Sequence, residues 1–272
     1  MTKQRIFNIL KKEWQVMFTE LNSLMLVTVL PVIILAQGLL YVWLIEKFGG
    51  ESMINSSFFQ SVLRKISEVM SAVSNLEITE QLQVFLLSQF NFYLLLIPVM
   101  IAVSFATFSI VDEKQTHSLE ALLATPVRTW ELLLGKALSG AIPAIIVTWI
   151  CGALLLLGVQ VLGWGDLLTY FLNPAWFIIL FLLTPAISIL SFLLGVIGSA
   201  RAKDSKSAQN LVVLIVLPVL ALIGIQISGV VWFTTILTLV LALAVVVIDF
   251  FVLKVAVRLF SRESIIISWR RH

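Results

Sequence analysis

The chain has 272 residues, 60% of them hydrophobic and 12% charged, with a formal net charge of +3 and a mean hydropathy of +1.06. A soluble domain carries roughly 25% charged residues, so this composition excludes one and predicts an integral membrane protein of the all-α class. The small positive balance suits anionic lipid on an inner leaflet and gives no reason to expect a nucleic-acid partner.

Residues 1–22 are predicted to form an amphipathic helix. Ile6, Leu10, Trp14, Met17 and Leu21 recur at helical spacing, with Lys3, Lys11, Lys12 and Glu13 between them. Such a stripe places the helix in the cytoplasmic interface before the chain turns into the bilayer, as an anchor or as a partner-binding element. The uncharged run Leu21 to Ile45 follows, long enough to cross hydrocarbon, which takes roughly 20 helical residues. It predicts a first span over 23–45. In the outer segment 46–83, Phe58, Val62, Ile66, Val69, Val73 and Leu76 keep a three-and-four spacing, with Arg64, Lys65, Glu68 and Glu77 on other faces. One or two amphipathic helices are expected there, lying on the outer surface or acting as a lid over an exit path.

The runs Gln81 to Val111, Ala137 to Gly165 and Leu167 to Ala200 predict spans over 84–110, 137–160 and 172–199. Ser207 to Ile248 is interrupted at Gly224 to Gly229 (GIQISG) and reads as two further spans, 208–226 and 229–252, ahead of a basic tail over 261–272. The six-helix domain therefore covers 23–260. Prolines 31, 98, 143, 185 and 218 each fall inside a span, where they bend helices and free backbone carbonyls. Ser191, Gly195 and Ser199 repeat every four residues in the fourth span, a stripe of small side chains that packs against another helix of the subunit or against a second subunit.

Orientation follows from the basic residues. With a cytoplasmic N-terminus, 15 of the 18 Lys and Arg residues fall inside, and only Lys47, Arg64 and Lys65 fall outside. Both termini are then cytoplasmic. Trp43, Trp164, Trp176 and Trp232 mark the outer boundary and Trp14, Trp130 and Trp269 the inner one, while Trp149 lies mid-span without such a reason. The first apolar run is too long for a signal-peptide core, and Asn55-Ser56-Ser57 is a bare glycosylation sequon.

Chemistry is conspicuous by what the residues lack. The spans hold no Lys, Arg, His or Glu and only Asp249, so the groups that serve ion coupling are missing. His117 and His272 have no second ligand at metal spacing, Cys151 stands alone, and no nucleophile elbow or zinc-protease motif occurs. Gly135-Lys136 resembles the end of a phosphate-binding loop, but Trp130 and Ala137 stand where Gly and Ser or Thr are needed. No catalytic site, metal or cofactor is expected in this chain. Energy, if used, has to come from a separate subunit.

The cytoplasmic segment 111–136, VDEKQTHSLEALLATPVRTWELLLGK from Val111, is where such a subunit would act. Ser118 is a candidate N-cap, and Glu120 lies in the first turn where the helix dipole favours an anion. Leu119 to Ala124 would form a short helix ending at Thr125, since the following Pro126 disfavours helical geometry there. Thr125 and Pro126 would then start the next helix. The result is a stiff knob displaying Leu119, Leu122 and Leu123 beside Glu113, Glu120 and Arg128.

These residues resemble a known family. EKQTHSLEALLATPVRTWELLLGK is similar to the signature of type-2 exporter permeases of ATP-binding-cassette (ABC) transporters, matching at Glu113, Lys114, Leu119, Glu120, Leu122, Leu123, Thr125, Pro126, Leu133, Gly135 and Lys136. His117 and Ser118 stand where the pattern has Gly and Thr. Ser199 to Pro218 and Ala256 to Ile266 resemble further stretches of the same permeases, so the likeness covers nearly the whole chain. The resemblance implies a multi-pass subunit of the inner (plasma) membrane, paired with a second, identical or related permease. It also implies a cytoplasmic ABC ATPase that binds the ATP and Mg, docks on Glu113, Ser118, Leu119, Glu120, Leu122, Leu123, Thr125, Pro126 and Arg128, and drives substrate outward. A stand-alone channel or secondary carrier is the alternative that six spans alone would allow.

Overall fold

The computed structural model describes residues 2–17, 21–48, 60, 63–64, 71–115, 128–201, 205–228 and 233–259, and all regular structure among them is helical. Helix α1 (Thr2–Met17) precedes α2 (Leu21–Phe48). A single turn of 3-10 helix, Ser71–Asn75, leads into α3 (Ile78–Tyr93) and α4 (Leu96–Gln115), which together make one transmembrane passage. Next come α5 (Thr129–Val161), the short α6 (Leu168–Phe171) and α7 (Pro174–Ile178), then α8 (Thr184–Arg201), α9 (Ser205–Ile227) and α10 (Thr235–Leu259). Leu24–Lys47, Ile78–Ile110, Thr129–Val161, Pro174–Ser199 and Thr235–Leu259 are long and apolar enough to cross a membrane, and the apolar part of α9, Val212–Ile227, is shorter. The all-α polytopic fold expected from composition is the one the chain adopts.

Local sequence explains the helix ends. Asn173 caps α7 through Oδ1, which accepts from the Trp176 N–H at 3.0 Å, with Pro174 next in line at the first helical position. Before α3, the Glu77 N–H donates to Glu80 Oε2 at 3.1 Å, a backward cap from the first turn. The expected break at Gly224 to Gly229 falls late: α9 continues through Gly224 to Ile227, and α10 starts only at Thr235. Thr234 sets that start by accepting the Leu237 N–H on its hydroxyl at 3.4 Å. Most of the patterned outer segment, including Phe58, Val62, Ile66 and Val69, lies outside the described residues, while Val73 is buried against the bundle.

The five prolines divide into two kinds. Pro31, Pro143 and Pro218 sit inside continuous helices. Pro98 and Pro185 instead follow real breaks: the turn at Leu94 and Leu95 that separates α3 from α4, and a π-helical segment, Ile179–Leu183, that separates α7 from α8. A π turn and a missing proline N–H both leave carbonyls without their usual partner. Trp149 answers one of them, its indole N–H donating to the Leu180 carbonyl at 2.8 Å. The tryptophan that interfacial preference left unexplained is thus a cross-helix bond to a weakened stretch of backbone.

The core runs along α4 and α8. Ile97, Ile101, Ala102, Val103 and Ala106 are fully enclosed, whereas α2 and α10 turn most of their length outward. In lipid no hydrophobic force draws helices together, so contact depends on how closely backbones approach. The Ser191, Gly195 and Ser199 stripe does this within the chain: a Cβ at Gly195 would lie 2.8 Å from the Ala106 Cβ and 3.2 Å from the Val103 carbonyl oxygen. The seam belongs to α8 against α4, which removes the alternative of a subunit boundary for it. Gly195→Leu is expected to lower stability by about 1–3 kcal/mol through overpacking, read as a lower unfolding temperature in detergent. An unchanged temperature would show that α4 and α8 are not in contact there.

Candidate coupling site

At the end of the bundle that the basic residues assign to the cytoplasm, three helices bring opposite charges together. Ser109 and Glu113 are one turn apart on α4, so both face the same side. Lys136 reaches them from α5, two turns in from its start, and Lys12 and Glu13 approach from α1. Lys136 Nζ lies 2.7 Å from Glu113 Oε1 and 3.3 Å from Glu13 Oε1. It also donates to Ser109 Oγ at 2.6 Å, and that hydroxyl donates onward to Glu13 Oε2 at 2.9 Å. Lys12 stands 3.6 Å from each carboxylate, half-exposed at the rim.

Burial makes this cluster different from a surface ion pair. Lys136 is 1% exposed and Glu113 4%. Taking an ammonium or a carboxylate out of water costs several kcal/mol, which only close partners offset. Here two lysines meet two glutamates, so the formal charges balance. Burial would push the Glu13 carboxyl upward, but Lys136, Lys12 and the Ser109 hydroxyl more than offset it and hold the group below its ordinary value. Beside the charges, the Trp14 indole N–H donates to the Ser139 carbonyl at 2.9 Å, fixing α1 to α5 a second time.

The cluster joins the two helices that flank residues 116–127. Glu113 lies just before residues 116–127, and Lys136 lies in the second turn of the helix that follows. That helix starts at Thr129, and Arg128 before it is extended (φ −73°, ψ 142°). The Arg128 N–H is capped by Glu131 Oε2 at 3.1 Å. Ser118, Leu119, Glu120, Leu122, Leu123, Thr125 and Pro126, with the short helix and elbow expected of them, lie outside the described residues. Of the residues expected to meet a partner, Arg128 is exposed and Glu113 is not. Glu113 turns inward, spending one carboxylate oxygen on Lys136 of its own chain.

The sequence marks Gly135 and Lys136 in the family signature and Glu13 on the polar side of the first helix, but assigns no joining role to them or to Ser109. A signal was present: an acid and a base at the inner ends of two consecutive spans lie at one depth when the spans form a hairpin. Deeper in the bundle the buried polar side chains are neutral amides and hydroxyls, among them Gln83, Gln89, Asn91, Thr148 and Thr238, while Asp249 on α10 is half-buried. Among the described residues, no group of three or more His, Cys, Asp or Glu could hold a metal ion.

The decisive comparison is with a family model described as "ABC-2 family transporter protein", which matches residues 7–240. The chain belongs to the ABC-2 transporter family. No curated protein matches its sequence. The family match runs from within α1 into the first turns of α10 and includes every member of the charged cluster. This ABC-2 protein is accordingly a multi-pass membrane permease component of an ABC transporter.

Two outcomes follow from the cluster. Lys136→Met leaves two carboxylates with only the half-exposed Lys12, 3.6 Å from each, for counter-charge, and is expected to cost about 3 kcal/mol, measured as loss of folded, monodisperse protein in detergent. Because Glu13 titrates below its ordinary value in the folded chain, its stabilising contribution is complete above the unfolded value of about 4.3. That contribution disappears as the pH falls through the lowered folded value. Hydrogen-exchange protection of α1, corrected for the intrinsic rate, should therefore hold from pH 7 to about 5 and drop only in stronger acid. A drop already complete at pH 6 would contradict the pairing of Glu13.

Proposed function

We propose that this permease is the membrane half of an ATP-driven exporter of the inner (plasma) membrane, working as a pair with a second, identical or related permease. A separate cytoplasmic ABC ATPase binds the ATP and Mg and docks on the segment between α4 and α5. Leu119, Leu122 and Leu123 enter an apolar cleft of that ATPase, Glu120 and Arg128 meet polar groups at its rim, and Thr125 and Pro126 keep the segment stiff. Closure of the ATPase pair displaces this segment, and the displacement passes into α4 and α5 and moves substrate outward.

The observation that carries the reading is the buried Lys136 to Glu113 pair, 2.7 Å long, which joins the helix entering the segment to the helix leaving it. A hairpin closed this way receives a push at its tip and delivers it to two membrane helices together. Membership of the ABC-2 family supports the same reading. Apart from Asp249 on α10, the deeper parts of the spans carry only neutral polar side chains, which also favours it over an ion-coupled carrier, whose relay depends on several intramembrane charges.

Glu120→Ala with Leu123→Ala tests it. The pair is expected to weaken ATPase binding by about 2 kcal/mol, roughly thirtyfold, in co-purification with the ATPase, and to abolish ATP-dependent transport in proteoliposomes. Unchanged association and transport would defeat the docking assignment. Transport by the purified permease without any ATPase would favour a channel or carrier.

A further inference from the structure

The match to a transporter family leaves unassigned why α1 lies where it does and why glycine and lysine adjoin at 135 and 136. The two questions have one answer. A Cβ at Gly135 would lie 3.1 Å from Ile9 Cγ2, 3.2 Å from Ile9 Cβ and 3.5 Å from the Ile6 carbonyl oxygen. Any larger side chain at this position meets α1 first. The next residue, Lys136, pairs with Glu13 of α1, and Ser139, one turn on, accepts the Trp14 indole N–H. Positions 135, 136 and 139 therefore form a seat on α5, filled by Ile6, Ile9, Glu13 and Trp14 of α1.

We infer that Gly135, Lys136 and Glu13 are positioning residues that dock α1 on α5, so that α1, the inner end of α4 and α5 move as one body when the coupling segment is displaced. The inference rests on the ATP-driven reading above. Three features point to one body rather than to a latch that opens. The same ammonium that holds Glu13 also holds Glu113 and Ser109 of α4, so freeing α1 disturbs the α4 to α5 joint as well. Undocking would take one carboxylate from the Lys136 ammonium and separate the Trp14 indole from the Ser139 carbonyl, which disfavours the open state. The contact has also been given close backbone approach, which suits a permanent joint.

A cross-link decides between joint and latch. Ile9→Cys with Gly135→Cys, in a Cys151→Ala background that removes the single native cysteine, places the two Cβ atoms within a few tenths of an ångström of the ~3.5–4.5 Å a disulfide spans. The variant permease is assembled with its ATPase in proteoliposomes, and transport and ATP hydrolysis are measured before and after mild oxidation. The bond is expected to form and both rates to stay as they were in the reduced protein. Arrest of transport on oxidation while ATP hydrolysis continues would overturn the inference and make α1 a moving latch. Failure of the bond to form would remove the seat itself. Loss of ATPase association in both the reduced and the unsubstituted protein would instead sink the ATP-driven reading, so the two failures are distinguishable.

A second variant covers poor folding of the cysteine pair. Lys136→Met with Glu13→Gln and Glu113→Gln removes the charges together, leaving none buried without a partner, a replacement that folds tolerate. It is expected to assemble with the ATPase and hydrolyse ATP, with substrate moved per ATP reduced about tenfold. An unchanged ratio of transport to hydrolysis would mean that the charged residues only support folding, and would overturn their positioning role.

Discussion

An ammonium with 1% of its surface exposed is a demanding object, and much of the inner half of this molecule is arranged to meet its demands. Lys136 requires opposite charge and hydrogen-bond acceptors at contact distance, because water cannot reach it. One helix cannot supply them. Glu113 and Ser109 come from α4 and Glu13 from α1, so satisfying a single side chain fixes three helices against one another. Had the site been apolar, the same helices could slide by a turn at little cost. A directed set of bonds has one good register, and this is how a hairpin acquires a defined neck.

The bilayer imposes a second constraint at the level of backbone. Every N–H and C=O within hydrocarbon needs a partner inside the protein, yet the second and fourth passages both contain interruptions. Each is repaired locally. At the α3 to α4 turn the Ile97 N–H reaches the Leu94 carbonyl at 3.1 Å, a tighter ring in place of the α-helical one. At the π segment before Pro185, the Leu180 carbonyl is taken by the Trp149 indole. The α3 to α4 turn lies in the enclosed core, whereas the π segment turns Phe181 outward and Leu180 and Leu183 inward.

Composition and periodicity made the fold class, the amphipathic first helix and most passages readable, since the length of an uncharged run is fixed by the bilayer and not by tertiary detail. The Ser191, Gly195 and Ser199 stripe was equally readable as a packing face, but its partner was not. Small residues announce a close approach without naming what approaches, and only the position of Ala106 and Val103 settles it. The charged cluster was legible as isolated letters alone. Glu13, Glu113 and Lys136 are far apart in the chain, and each looks like an ordinary residue of an inner loop until the hairpin and α1 are folded together. Gly135 was harder still, because its neighbour Lys136 invited comparison with a nucleotide-binding loop and drew attention from the helix that needs its bare face.

The position of α1 shows why charge rather than apolar area does the selecting at this depth. Phe7 on α1 is 63% exposed while Leu10 is buried and Ile9 meets Gly135, so the helix has one apolar side turned outward and another turned to α5. In the interface, lipid accepts an apolar side chain about as readily as another helix does, and burial therefore cannot choose between them. A carboxylate facing Lys136 and an indole facing the Ser139 carbonyl can, because lipid tails offer neither charge nor acceptor. The same logic accounts for the depth of the cluster: near the end of the helices, where the coupling segment begins, rather than at the middle of the bilayer where charge is costliest. Placed there, the bonds that hold α1 also stiffen the root of the segment on which a partner would push.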